Sequence, residues 1–134
     1  MKGRPVAQRR GDRELELFRR LVGIASPSGR EQELGREVAS IAEEMGHRVE
    51  RDGAGNLTVR LPGTLREARP VMYAAHQDEI SLVVTWIGPD GALWVDRCGG
   101  LLPYKIGECP VEVLGDRRSV TGILSMGSAH REDA

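Results

Sequence analysis

His76, Asp78 and Glu79 are the residues whose types and spacing could do chemistry. A neutral imidazole offers one ring nitrogen to a metal, and a nearby carboxylate can accept the other N–H and fix the ring. His-x-Asp at the carboxyl end of a strand, where ligands collect in open α/β sheets, is therefore half of a metal site. It is only half, because a zinc or cobalt ion takes about four ligands and one histidine cannot supply them. The structural alternative is that His76 bonds locally while Asp78 and Glu79 face water or cap the next element.

Other chemical candidates fall away. Glu43 and Glu44 are adjacent on a helix and lie beside its apolar stripe, which makes them a solvated face. His47 abuts a helix stop among charged neighbours and reads as an exposed strand residue. Ser26 and Ser28 lack the Gly-x-Ser-x-Gly setting of a nucleophile elbow. The glycine-rich segments lack the phosphate-loop lysine pattern and a dinucleotide fingerprint. No spacing picks out a pair of carboxylates for glycoside hydrolysis.

The elements that must position His76 can be read in order. Asp12 is a candidate N-cap, and Leu17, Phe18, Leu21 and Val22 recur at helical spacing. Ser26-Pro27-Ser28-Gly29 ends that helix, and Ser28 with Glu31 forms a capping-box pattern for the next. Leu34, Val38, Ile41, Ala42 and Met45 make the stripe of the second helix, with Gly46 as its stop. His47–Arg51 and Leu57–Leu61 then read as strands around an Asp52–Asn56 turn. Val71–Ala75, uncharged and delivering His76, reads as the most buried strand. From Ile80 onward the pattern is all-β: Ile80–Ile87 and Ala92–Val95 flank a Gly88–Gly91 turn, with Trp86 and Trp94 paired across it. A segment from Cys98 through Gly107 is irregular, and Val111–Leu114 with Ser119–Leu124 form a second hairpin of a small barrel or sandwich. The α/β part has the look of the first half of a domain interrupted by a β insertion.

The totals bound the function. At 134 residues the chain is the size of one domain, and 19 basic against 20 acidic residues leave no field that favours nucleic acid or an anionic membrane. The basic start is followed by no apolar stretch of a secretory signal, and no run is long enough to span a bilayer. Cys98 and Cys109 are too few for a disulfide scaffold, so reduced thiols in a cytoplasmic protein are expected.

Four segments in fixed order carry a resemblance: Ser26-Pro27-Ser28-Gly29-Arg30-Glu31, Asp52-Gly53-Ala54-Gly55-Asn56-Leu57, Ala75-His76-Gln77-Asp78-Glu79-Ile80, and Gly99-Gly100. Ile87–Gly91, Gly122-Ile123-Leu124 and the following His130 fit as well. From about Asp12 onward the sequence resembles the amino-terminal part of the M42 metallo-aminopeptidases. The resemblance implies the start of an α/β metallopeptidase catalytic domain, interrupted by a small β-barrel dimerisation domain and apparently truncated. Residues 1–11 would be a disordered basic start, 12–80 the catalytic part and 81–134 the barrel part. It further implies an enzyme holding two divalent ions, zinc or cobalt, that trims short peptides and assembles as a homo-oligomer. His76 would be a metal ligand, and Asp78 the catalytic-site carboxylate that fixes its imidazole. Glu79 is assigned no ligand role, and His130 a structural one. Gln77 replaces the usual methionine and Ser81 the common glycine, as neighbours that leave the chemistry alone. The family's other metal ligands and its general base have no counterpart in these residues. Two expectations follow: a metal-dependent aminopeptidase, or a catalytically inactive remnant that serves as a folding or oligomerisation module, with the isolated chain inactive.

Overall fold

The computed structural model describes residues 10–65 and 67–127. Its elements are α1 (Arg10–Val22), α2 (Gln32–Glu44), β1 (Val49–Arg51), β2 (Leu57–Val59), β3 (Ser81–Ile87), β4 (Leu93–Cys98), α3 (Pro103–Ile106), β5 (Cys109–Leu114) and β6 (Ser119–Leu124). The chain divides into two units, the first through Gly99 and the second from Gly100. The strands pair as three antiparallel two-stranded sheets, β1–β2, β3–β4 and β5–β6. The content is α/β, and no closed barrel is present among the described residues. Residues 1–9 of the expected disordered start, and His130, lie outside the described residues.

In the first unit α1 begins by Arg10, which places Asp12 inside its first turn and not at the N-cap. A carboxylate favours the positive end of a helix from either position, so sequence alone does not separate the two. Arg20 of α1 pairs with Glu37 of α2. Helix α2 ends as expected. Gly46 takes φ +84°, its N–H donates to the Glu43 carbonyl, and the His47 N–H donates to the Ala42 carbonyl. That is a Schellman motif, which satisfies carbonyls the helix itself leaves orphaned. His47 is thereby part of the helix stop, half-buried and two residues before β1, so it is not the exposed strand residue expected.

The β1–β2 connection is organised by Asp52. Its carboxylate accepts the N–H groups of Ala54 and Asn56, each at 2.9 Å, and the Asn56 side-chain amide at 2.8 Å. Together they hold the carboxyl below its ordinary value, the Asn56 side-chain bond contributing most. The β3–β4 hairpin pairs Trp86 with Trp94 as expected, their ring centroids 6.0 Å apart. A bulge between Val84 and Trp86 leaves Thr85 outside the ladder, where its hydroxyl donates to the Trp94 carbonyl.

The largest departure from expectation is the run before His76. Val71–Ala75 is not a strand, and Met72 and Tyr73 are 88% and 94% exposed. A continuous apolar run is stable as a strand only when neighbours pair its backbone and cover both faces. Among the described residues nothing pairs with it, and the nearest bridge joins Pro27 to Glu79. Such exposure extends further, since Leu101, at 9%, is the one buried hydrophobic side chain among the described residues.

In the second unit Pro103 starts the one-turn α3 within the segment expected to be irregular. Strands β5 and β6 pair from Cys109↔Leu124 to Leu114↔Ser119, and the Glu108 carboxylate ties their open end by accepting from Ser125 Oγ and the Met126 N–H. Cys98 and Cys109 are free thiols.

Candidate functional site

The site is built by two loops of the first unit. In the loop between α1 and α2, the Arg30 N–H donates to the Pro27 carbonyl at 2.8 Å, closing a turn with Gly29 at φ +88°. That positive φ at the third turn position is the type II signature and favours glycine. Glu31 accepts the Gly29 N–H at 2.7 Å. The expected Ser28–Glu31 capping box does not form: Glu31 itself is the N-cap of α2, with no side-chain cap bond. The Ser28 hydroxyl is directed elsewhere.

The second loop follows Val71–Ala75 and docks on the first through Glu79. The Glu79 N–H donates to the Ser26 carbonyl at 2.9 Å, and Glu79 Oε1 accepts the Ser26 N–H at 2.8 Å. Ser26 is the buried polar residue of this clasp, 4% exposed, so both bonds satisfy groups that water does not reach easily. With Glu79 fixed opposite Ser26, its predecessor Asp78 faces Ser28. The Ser28 hydroxyl donates to Asp78 Oδ2 at 2.6 Å, within the range of a charge-assisted O–H···O⁻ bond.

Asp78 in turn meets His76. His76 Nδ1 lies 3.0 Å from Asp78 Oδ1 and 2.8 Å from the Asp78 backbone carbonyl. Both partners are acceptors, so Nδ1 carries the proton, and in the neutral ring the lone pair is on Nε2. The imidazole is 85% exposed, so Nε2 is open to an incoming ligand. The Ser28 hydroxyl first, and His76 after it, hold the Asp78 carboxyl below its ordinary value, which keeps it the acceptor this arrangement needs.

A third contact was not expected from the sequence. Gly35, buried on α2, has no side chain where two others approach: a Cβ there would lie 3.0 Å from Gln77 Oε1 and 3.1 Å from Arg51 Nη2. Gln77 Oε1 is buried without a hydrogen-bond partner among the described residues. Gln77 thus lies against α2 and seats there the loop that carries His76 and Asp78. These residues line a cleft of about 280 Å³ that also takes in Glu31, Asn56 and Ala75.

The sequence located His76 and Asp78, and the structure brings them together. It missed Ser28, whose Ser-x-x-Glu spacing has the same signature as a capping box, and Gly35, whose only local signal was a glycine inside a helical pattern. Among the described residues no group of three or more His, Cys, Asp or Glu side chains could hold an ion, and no helix is long and apolar enough to cross a membrane.

Residues 55–134 match the model of the M42 glutamyl aminopeptidase family. The chain is 33% identical to the lysyl aminopeptidase of Pyrococcus furiosus, across 83% of this chain and 32% of that protein. It is likewise 33% identical to the glutamyl aminopeptidase of Lactococcus lactis, across 69% of this chain and 27% of that one. Among solved structures it superposes on aminopeptidase APDkam598 from the archaeon Desulfurococcus kamchatkensis with a TM-score of 0.78 and 29% identity, covering 88% of this chain and 33% of that one. The chain therefore spans about a third of the length of these relatives.

Proposed function

This chain belongs to the M42 glutamyl aminopeptidase family, and from that premise we propose that it forms the histidine-bearing part of a metal-dependent aminopeptidase acting on short peptides. The observation that carries the reading is the His76–Asp78 pair, with the proton held on Nδ1 and Nε2 open. In this reading His76 is a metal ligand and Asp78 the carboxylate that orients it. Zinc or cobalt bound in such an enzyme supplies a Lewis acid and a water of lowered pKa. The fit is partial. One imidazole and its orienting carboxylate suit a ligand position, yet no third donor gathers with them among the described residues.

The reading extends to the domains, with residues 12–80 as the start of the catalytic domain and 81–134 as part of the dimerisation domain. Among the described residues β3–β4 and β5–β6 are two-stranded sheets, whose edges can take up a further strand, which favours a homo-oligomer, and the two free thiols suit the cytoplasm. A second reading is a non-catalytic folding or oligomerisation module, favoured by the lack of a third donor beside His76 and Asp78 among the described residues.

The test is calorimetric titration of zinc and of cobalt into the chain and into its His76→Ala variant. Binding heat that disappears with His76 is the expected result. Binding indifferent to His76 would remove the metal-ligand assignment. Sustained zinc-dependent release of amino acids by the chain alone would overturn the non-catalytic reading.

A further inference from the structure

The geometry points to Ser28 as a positioning residue for His76: its hydroxyl locks the Asp78 carboxylate in the orientation that keeps the imidazole proton on Nδ1 and Nε2 facing outward. We infer this role from three observations. The chain of bonds is continuous, from Ser28 Oγ to Asp78 Oδ2 at 2.6 Å and from Asp78 Oδ1 to His76 Nδ1 at 3.0 Å, the carboxylate sharing the Nδ1 proton with the Asp78 backbone carbonyl at 2.8 Å. The two carboxylate oxygens are therefore engaged one on each side, and rotation of the carboxylate would break both bonds together. The local role that Ser28 would otherwise fill is absent, because α2 takes Glu31 as its N-cap and receives no side-chain cap bond. Finally, the Ser28 backbone is set by the Pro27–Arg30 turn with its positive-φ Gly29, which takes no bond from Asp78.

A pre-set hydroxyl is what distinguishes positioning from passive contact. Asp78 and His76 are both on the loop that follows the Val71–Ala75 run, which pairs with no strand among the described residues. Ser28 ties them to a turn whose shape is fixed elsewhere in the chain. The order of events in sequence terms is simple: Gly29 makes the turn, the turn aims Ser28, Ser28 holds Asp78, and Asp78 selects the tautomer of His76.

This inference rests on the reading of His76 as a ligand for its purpose, but its test needs neither metal nor peptide. Long-range ¹H–¹⁵N spectra of the metal-free 134-residue chain report which ring nitrogen of His76 carries the proton. In the unaltered chain the Nδ1–H form should predominate. Ser28→Ala should lower the ratio of Nδ1–H to Nε2–H by about three- to tenfold, the scale of one net hydrogen bond. Ser28→Thr, which keeps the hydroxyl, should restore it. The indole N–H signals of Trp86 and Trp94 serve as the control for folding of the same unit. An unchanged ratio in Ser28→Ala overturns the role, as does a Thr variant that behaves like Ala. Collapse of the indole signals in Ser28→Ala would also overturn it, by making the hydroxyl a support of the fold and not of the imidazole. Loss of metal binding with an intact Ser28-dependent ratio would instead sink only the ligand reading.

Discussion

Two adjoining stretches of the first unit behave in opposite ways. Residues 76–79 are held by polar bonds to the 26–31 turn, with both ends of Glu79 and both oxygens of Asp78 engaged. Residues 71–75, directly before them, have no ladder partner among the described residues and expose Val71, Met72 and Tyr73. The difference is one of reach. Hydrogen bonds between two short loops need only those loops, whereas an apolar run needs surfaces on both sides that the described residues do not provide. The His76–Asp78 pair is therefore shaped without the run that delivers it being packed.

The strongest way to break this contrast is to open the clasp. Glu79→Ala removes the acceptor of the Ser26 N–H, a group on a residue 4% exposed. An orphaned buried N–H costs about 1–3 kcal/mol, so hydrogen exchange at the Ser26 and Glu79 amides should accelerate about tenfold or more. Unchanged exchange at both amides would mean that the clasp is held by something other than these bonds.

A smaller effect, of opposite expectation, comes from Gly35. In an ordinary exposed helix position Gly→Ala stabilises by about 1 kcal/mol. Here a Cβ meets Gln77 Oε1 at 3.0 Å and Arg51 Nη2 at 3.1 Å, so Gly35→Ala should show no gain. Arg51 can swing into solvent, but Gln77 Oε1 is enclosed. Adding Gln77→Ala should release the missing ~1 kcal/mol, seen as a coupling in a double-mutant cycle measured by urea unfolding. Additivity of the two substitutions would dissolve the proposed seat.

What could be read from the sequence follows the same division between near and far. The stop of α2 at Gly46, the pairing of Trp86 with Trp94 and the Asp52 turn were legible because each is decided within a few residues. His76 with Asp78 was legible for the same reason, at a separation of two. Ser28 was not, because its partner is 50 residues away in sequence while its own neighbourhood offered Glu31 at capping-box spacing. The burial of Val71–Ala75 was misread for a different cause: composition states that a run favours burial, and says nothing about whether a covering surface exists. Met72→Ser tests that point. A side chain 88% exposed should leave stability within about 0.5 kcal/mol of the unaltered chain. A larger loss in urea unfolding would show that the run is packed after all.

The finest comparison is between the two carboxylates that organise loops. Asp78 bridges segments far apart in sequence, while Asp52 gathers Ala54 and Asn56 within its own turn. The Asp52 carboxyl lies below its ordinary 3.8, chiefly through the Asn56 side-chain amide. A depressed folded value means that the ionised form stabilises the turn. That contribution is fully present above the ordinary value and is lost as pH falls through the lower, folded one. The Ala54 and Asn56 amide shifts should therefore titrate with a midpoint below 3.8, and Asn56→Ala should move the midpoint back toward it. The turn is open to solvent, so the change should stay local, leaving the Ser26 and Glu79 amides unmoved by the Asn56 substitution. Movement of those amides together with the Asp52 turn would join the two networks into one and erase the distinction between near and far.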